Sequence, residues 1–156
     1  MKISIGFTGT QVGMNVEQRA TLGYYLKRTL HPNIDVEYHH GDCIGADADF
    51  HTLLNELFEE CNIKKNIIIH PPIKNIKRAY CKSDFILEPK DYLDRNKDIV
   101  NASKILLATP KEFEEQLRSG TWSTIRYCKK QKKKAFIIFP NGIMRLYEDN
   151  PAKKAS

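Results

Sequence analysis

"YLDRNKDIVNASKILLATP" (92–110) carries two periodicities in one short stretch. Tyr92, Asn96, Ile99 and Val100 fall on one side of a helix over about 91–103, and "KILLATP" (104–110) is then a nearly continuous apolar run ended by proline. A strand that is apolar on both sides needs cover on both faces, the condition met inside a parallel sheet. The stretch therefore reads as the helix and returning strand of a βαβ unit.

The same alternation extends in both directions. Strand-like runs rich in β-branched and aromatic residues recur at "KISIGFTG" (2–9), "DVEYHHG" (35–41), "NIIIHPP" (66–72) and "KAFIIFP" (134–140). Between them, Phe50, Leu53, Leu54, Leu57, Phe58 and Cys61 mark one face of a helix, a weaker stripe runs from Asn15 to Leu30 before "HPN", and a further helix covers about 120–131. Strands alternating with helices at this spacing predict right-handed crossovers. The expected fold is α/β, a Rossmann-like three-layer sandwich with a mainly parallel sheet. Residues 1–142 are expected to form one domain and 143–156 a partly disordered C-terminal extension in which "IMRLY" is an edge strand or a docked segment. "PPIKNIKRAYCKSDFILEP" (71–89) reads as a long loop with a short helix around Ile76 to Cys81.

Composition narrows the classes of function. Apolar residues at 41% and charged residues at 28% of 156 are ordinary for a globular chain. Cys43, Cys61, Cys81 and Cys128 are scattered without a C-x-x-C pair, which argues against a zinc ribbon and suits a reducing compartment. "KISIGF" is too short for a signal peptide or membrane span, so the expected location is the cytoplasm, with no membrane partner. Much of the +6 charge lies in "KKQKKK" (129–134) and "KK" (153–154), runs that read as solvated faces in the absence of any nucleic-acid-binding signature.

In an open parallel sheet, ligands bind beyond the C-terminal strand ends. After the first strand, Thr8, Gly9, Thr10, Gly13 and Met14 form a small-residue turn that is either a phosphate cradle or a plain connection; it lacks the Gly-Lys-Ser/Thr of a P-loop. After the second, Gly41 and Gly45 allow close backbone approach, Ala46 follows, and Asp42, Asp47 and Asp49 offer acceptors for hydroxyls or amines, with Asp47 and Asp49 equally suited to a helix's first turn. His39, His40, Asp42, Asp47 and His51 suggest a metal, but adjacent His39 and His40 point to opposite faces of a strand. A ligand pocket with no metal and no cofactor is the expectation. After the fourth strand, Thr109 and Pro110 lead through "KEFEEQL" to Arg118, Ser119, Gly120 and Thr121, which open a helix and offer a hydroxyl, amides and a cation to a phosphate. Trp122 either stacks on a base or joins Ile125 in the core. Arg78 and Arg95 are further candidates to neutralise phosphate.

"GFTGT", "HHGDCIGADADFH", "HPP", "YLDRNKDIVNASKILLATP" and "LRSGTWSTIRY", in this order, resemble the SLOG superfamily of Rossmann-like nucleotide-binding proteins over about residues 3–140. "RNKDIVNASKILLATP" followed by Ser119-Gly120-Thr121 is similar to the Lonely Guy type phosphoribohydrolases. On that comparison Arg95 matches the family's functional arginine and Gly120-Thr121 its phosphate-binding Gly-Thr. The chain departs from that pattern where Asn96 replaces a lysine, where "KEFEEQLRS" separates Pro110 from Gly120, and where Thr124 stands at the catalytic glutamate. Threonine cannot handle the water or stabilise a ribosyl cation as a carboxylate does. The resemblance therefore implies a protein that binds a nucleotide, ADP-ribose or other NAD-derived ligand as a sensor or sequestering protein. Its alternative is an N-glycosidic hydrolase or transferase using Asp42 or Asp47. SLOG relatives act in bacterial antiviral signalling and self-associate, which implies a homo-oligomer.

Overall fold

The computed structural model describes residues 2–148. Along the chain run β1 (Lys2–Gly9), α1 (Val16–Thr29), β2 (Asp35–His40), α2 (Ala46–Cys61), β3 (Ile67–Ile69), a 3-10 turn (Asn75–Lys77), β4 (Phe85–Ile86), α3 (Tyr92–Ala102), β5 (Ile105–Thr109), α4 (Gly120–Lys130), β6 (Lys134–Ile138) and β7 (Met144–Leu146). They build an α/β fold around one seven-stranded sheet in the order β4-β3-β2-β1-β5-β6-β7. Every neighbouring pair is parallel except β6 with β7.

The chain fills the sheet outward from β1 to β4, then returns and fills it the other way from β5. The strand order thus reverses between β1 and β5, which pair from Ile5–Ile105 to Gly9–Thr109. Loops leaving these two strands part company at their C-terminal ends, and that divergence opens a crevice.

Side-chain alternation along the strands feeds two hydrophobic clusters. Leu107 and Ile138 join Phe7, Tyr38, Leu22, Leu26, Phe50 and Leu54 in the cluster served by α1 and α2, with Phe7 stacked on Phe50 at 4.3 Å. Leu106, Ala108 and Ile137 join Ile99, Val100, Trp122 and Ile125 in the cluster served by α3 and α4. α1 starts at a capping box in which Asn15 Oδ1 accepts from the Gln18 amide at 2.8 Å and Gln18 Oε1 from the Asn15 amide at 3.3 Å.

The segment 71–89 differs from its sequence reading. Its helical turn stops at Lys77, since Arg78 is extended and Tyr80 takes a left-handed φ of 56°. Beyond it a two-residue strand, β4, pairs with β3, and the Leu87 amide bonds to the Ile69 carbonyl at 2.9 Å. "IMRLY" supplies β7 as an antiparallel edge. The reading of "DNPAKKAS" (149–156) lies outside the described residues. Part of the lysine run serves the fold itself, because Lys133 Nζ donates to the carbonyls of Val100, Asn101 and Ser103 and so closes the C-terminus of α3.

Candidate functional site

The crevice at the β1–β5 reversal holds a cleft of about 850 Å³. One side is Gly9, Thr10, Gln11 and Val12 from the turn after β1; the other is Lys111, Glu112 and the run from Glu115 to Thr121, with Tyr92 between them. Gly9, Thr10, Arg118, Ser119, Gly120 and Thr121, all singled out from the sequence, therefore meet here. α4 opens toward this space with its first amides lacking an intrahelical acceptor and its dipole positive. Ser119 caps the helix, its Oγ accepting from the Trp122 amide at 3.2 Å.

The segment between β5 and α4 is held from below. Arg126 Nη1 pairs with Glu115 Oε2 at 2.9 Å, and its guanidinium also donates to the carbonyls of Gln116 and Leu117 at 3.2 Å. Tyr147 donates to the other oxygen of Glu115 at 2.9 Å. Trp122 is buried in the core, and its indole N–H donates to Glu112 Oε1 at 3.1 Å. Thr124 is also buried, its hydroxyl bonded to the Gly120 carbonyl at 2.8 Å.

Other candidates stand behind the cleft wall. Asp42 is fully buried at a left-handed φ of 57°, pairs with Arg78 Nε at 2.8 Å and accepts from the Cys81 amide at 2.8 Å, so Asp42 and Arg78 fasten the 71–89 loop to β2. The Ala46 amide donates to the Thr10 carbonyl at 2.9 Å, and the Met14 amide to Asp49 Oδ2 at 2.9 Å, which set the shape of the turn around Gly13 and Gly45. Pro110 offers its carbonyl to Gln18 Nε2 at 2.7 Å. The half-buried Thr8 pairs with Ala108, and Thr109 is fully buried with its Oγ1 lacking a hydrogen-bond partner among the described residues.

Arg95 is 3% exposed, under Tyr92, whose ring centre lies 4.8 Å from the guanidinium carbon. Its Nε donates to Asn96 Oδ1 at 2.8 Å, Nη1 to the carbonyls of Gly41 and His70, and Nη2 faces Cys43 Sγ at 3.5 Å. No carboxylate makes an ion pair with it among the described residues. Asp47 is buried nearby; desolvation raises its pKa to about 6 against the pull of the Arg95 charge and the Cys43 amide.

The histidines divide as adjacent strand positions must. His39 Nε2 meets Glu37 Oε1 at 2.8 Å and its Nδ1 meets His70 Nε2 at 2.8 Å. On the other face His40 Nε2 meets His51 Nδ1 at 2.9 Å. Burial lowers the pKa of all four, His70 to about 4. His40, His51 and Cys81 bring three ligand atoms within 4.8 Å of one another. Yet the Asp42 amide donates to His40 Nδ1 at 3.0 Å, which puts the ring proton on Nε2, facing His51. A cation there would displace that proton and leave an imidazolate, while burial pushes the Cys81 thiol up to about 12. The arrangement suits a hydrogen-bonded imidazole pair.

A second cleft, of about 630 Å³, adjoins the first and is lined by Gln11, Cys43, Pro72, Lys74, Ile76, Lys77 and the run from Asp91 to Asp94. Sequence reasoning passed over Tyr92, Lys111, Glu112 and Glu115. The signal available was the length and acidity of "KEFEEQLRS" between a strand end and a helix start. No helix among the described residues is long and apolar enough to cross a membrane. No protein-family model matches the chain, and neither a curated protein nor a solved structure matches it.

Proposed function

We propose that this chain is a SLOG-type, three-layer Rossmann-like protein that binds a nucleotide-type ligand in the cleft at the β1–β5 reversal and does not turn it over. The observation that carries the reading is the meeting, in one crevice, of the β1 turn, the open N-terminus of α4 and the cations Lys111 and Arg118. Backbone amides at a helix start, with a positive dipole and nearby cations, suit a phosphate group. Thr124, at the position of the phosphoribohydrolase glutamate, is buried with its hydroxyl engaged by Gly120. A sensor or a sequestering protein, acting in the cytoplasm and as a homo-oligomer, is the role that accords with this chemistry and with the resemblance.

Calorimetry against AMP, ADP-ribose and NAD tests the proposal. Ligand at about a hundred times its Kd is expected to add roughly 2.7 kcal/mol of stability. Absence of heat and of a melting shift with every member of the panel would refute it.

A hydrolytic reading has one observation of its own, the presence of Glu112 and Glu115 in the cleft wall. Glu115 has both oxygens engaged by Arg126 and Tyr147, whereas Glu112 has one oxygen on the Trp122 indole, so Glu112 is the carboxylate this reading needs. Release of free base from a nucleotide, abolished by Glu112→Gln, would replace the binding-only reading with this one.

A further inference from the structure

The two clefts share a boundary made of side chains. Gln11 and Tyr92 line both. Tyr92 sits at the first turn of α3 and rests against Gly120, where a β-carbon would lie 3.0 Å from its Cε1 and its hydroxyl. The ring therefore stands at the start of α4, beside the seat proposed for phosphate and above the Arg95 guanidinium. A partition of two side chains opens by rotamer changes, on a much faster scale than backbone rearrangement.

The two spaces differ in chemistry. The first is walled by backbone, Lys111, Glu112, Gln116 and Arg118. The second is lined by Cys43, Pro72, Ile76 and Leu93, with Lys74, Lys77, Asp91 and Asp94 beside them, and Ile76 and Leu93 are 86% and 61% exposed. Each cleft alone falls in the roughly 300–1,000 Å³ range of single small-molecule sites, and the two together exceed it. Two sources of positive potential meet at the boundary, the α4 dipole and the Arg95 guanidinium, with the carboxylates of Glu112 and Glu115 on the side of the first cleft and of Asp91 and Asp94 on the side of the second.

We infer that the clefts are two halves of one site for a bipartite, dinucleotide-type ligand. Its phosphate bridge crosses at Tyr92, one sugar-bearing end lies in the cleft of Lys111 and Arg118, and an aromatic base lies on Pro72, Ile76 and Leu93. This inference rests on the nucleotide-binding reading above and adds a second half-site to it. A sugar phosphate without a base, such as ribose 5-phosphate, would fill only the first cleft, with Tyr92 left in place.

Calorimetry on the full chain with ribose 5-phosphate and ADP-ribose, repeated on Ile76→Glu and Leu93→Glu, tests this. Both changes are on exposed side chains, so folding, checked by thermal melting, is expected to persist. The expected result is ADP-ribose binding at least about tenfold tighter than ribose 5-phosphate, with either variant removing that advantage while leaving ribose 5-phosphate affinity unchanged. Equal affinities for the two probes, or an ADP-ribose advantage that survives both substitutions, would overturn the bipartite site and leave nucleotide binding standing. Failure of both probes to bind would overturn the underlying reading as well.

Discussion

Tyr92 packs its ring against Gly120 so closely that a β-carbon on this first residue of α4 would stand 3.0 Å from the ring's Cε1 and hydroxyl and would need the ring to shift by a few tenths of an ångström. Gly120→Ala is expected to push the half-exposed ring aside at little cost, about 1 kcal/mol or less, and to set a methyl group into the proposed phosphate seat. Binding of AMP should weaken about tenfold while the melting temperature barely moves. Adding Tyr92→Ala separates the two effects: the double variant recovers affinity if the displaced ring is the obstacle, and stays weak if the methyl itself is.

Ser119 has its hydroxyl on the Trp122 amide, so Ser119→Ala should lose about 1 kcal/mol of stability through the helix cap. Ser119→Asp retains a capping acceptor and places a negative charge at the mouth of the cleft. Its stability should stay near that of the parent, whereas its affinity for a phosphorylated ligand should collapse. Denaturant melts and calorimetry on the pair read the two quantities separately, and an Asp variant that binds normally would remove α4 from the phosphate site.

Gly45 has a φ of 90°, and a β-carbon there would overlap the backbone of Gln11. Gly45→Ala is expected to cost about 2–4 kcal/mol, from the strained dihedral and the overlap together. Gly23, in the interior of α1, is the opposite case, with a β-carbon meeting only Leu53, its Cδ1 at 3.6 Å. Gly23→Ala should stabilise by about 0.5–1 kcal/mol, and urea titrations of both variants check the opposite signs.

Acid should destabilise the fold by way of the histidines. His39, His40, His51 and His70 have folded pKa values lowered by burial, so the unfolded chain binds protons first as pH falls below about 6.5. Their contribution is complete above that pH and is lost on the way down to the folded values, about 4 for His70. Asp47 acts in the opposite sense. Its folded pKa of about 6 exceeds the ordinary 3.8, so its burial is most costly above pH 6 and the cost fades as the group protonates. At roughly 1.4 kcal/mol per pKa unit, Asp47→Asn should gain up to about 3 kcal/mol over the parent at neutral pH and lose that gain near pH 4. Chemical denaturation of parent and variant from pH 4 to 7.5 measures the difference, and parallel curves would contradict the placement of Asp47.

The strands were legible because each is a short apolar run closed by glycine or proline, and Lys2–Gly9 and Lys134–Ile138 follow that pattern. β4 was not, since Phe85 and Ile86 are half-exposed and owe their pairing to β3 across the sheet and not to any local pattern. That Gly9, Thr10 and Ser119 to Thr121 line one cleft follows from their positions after the C-terminal ends of strands that lie side by side in a parallel sheet. Asp42 and Arg78 have the same chemistry as ligand-binding groups, and only the fold reveals that they bond to each other. Glu112 and Glu115 owe their positions to Trp122, Arg126 and Tyr147, partners that no local pattern in "KEFEEQLRS" announces.

Tyr147 follows β7 directly, is buried with the side chains of α4 and β6, and reaches Glu115 at 2.9 Å. One jamb of the cleft is thus nailed to a post that is synthesised 32 residues after the wall it steadies. A shortened version ending after β6 would keep every parallel pairing of the sheet and still present a slack doorway. For anyone trimming this chain for binding work, the small antiparallel edge is the piece to leave in place.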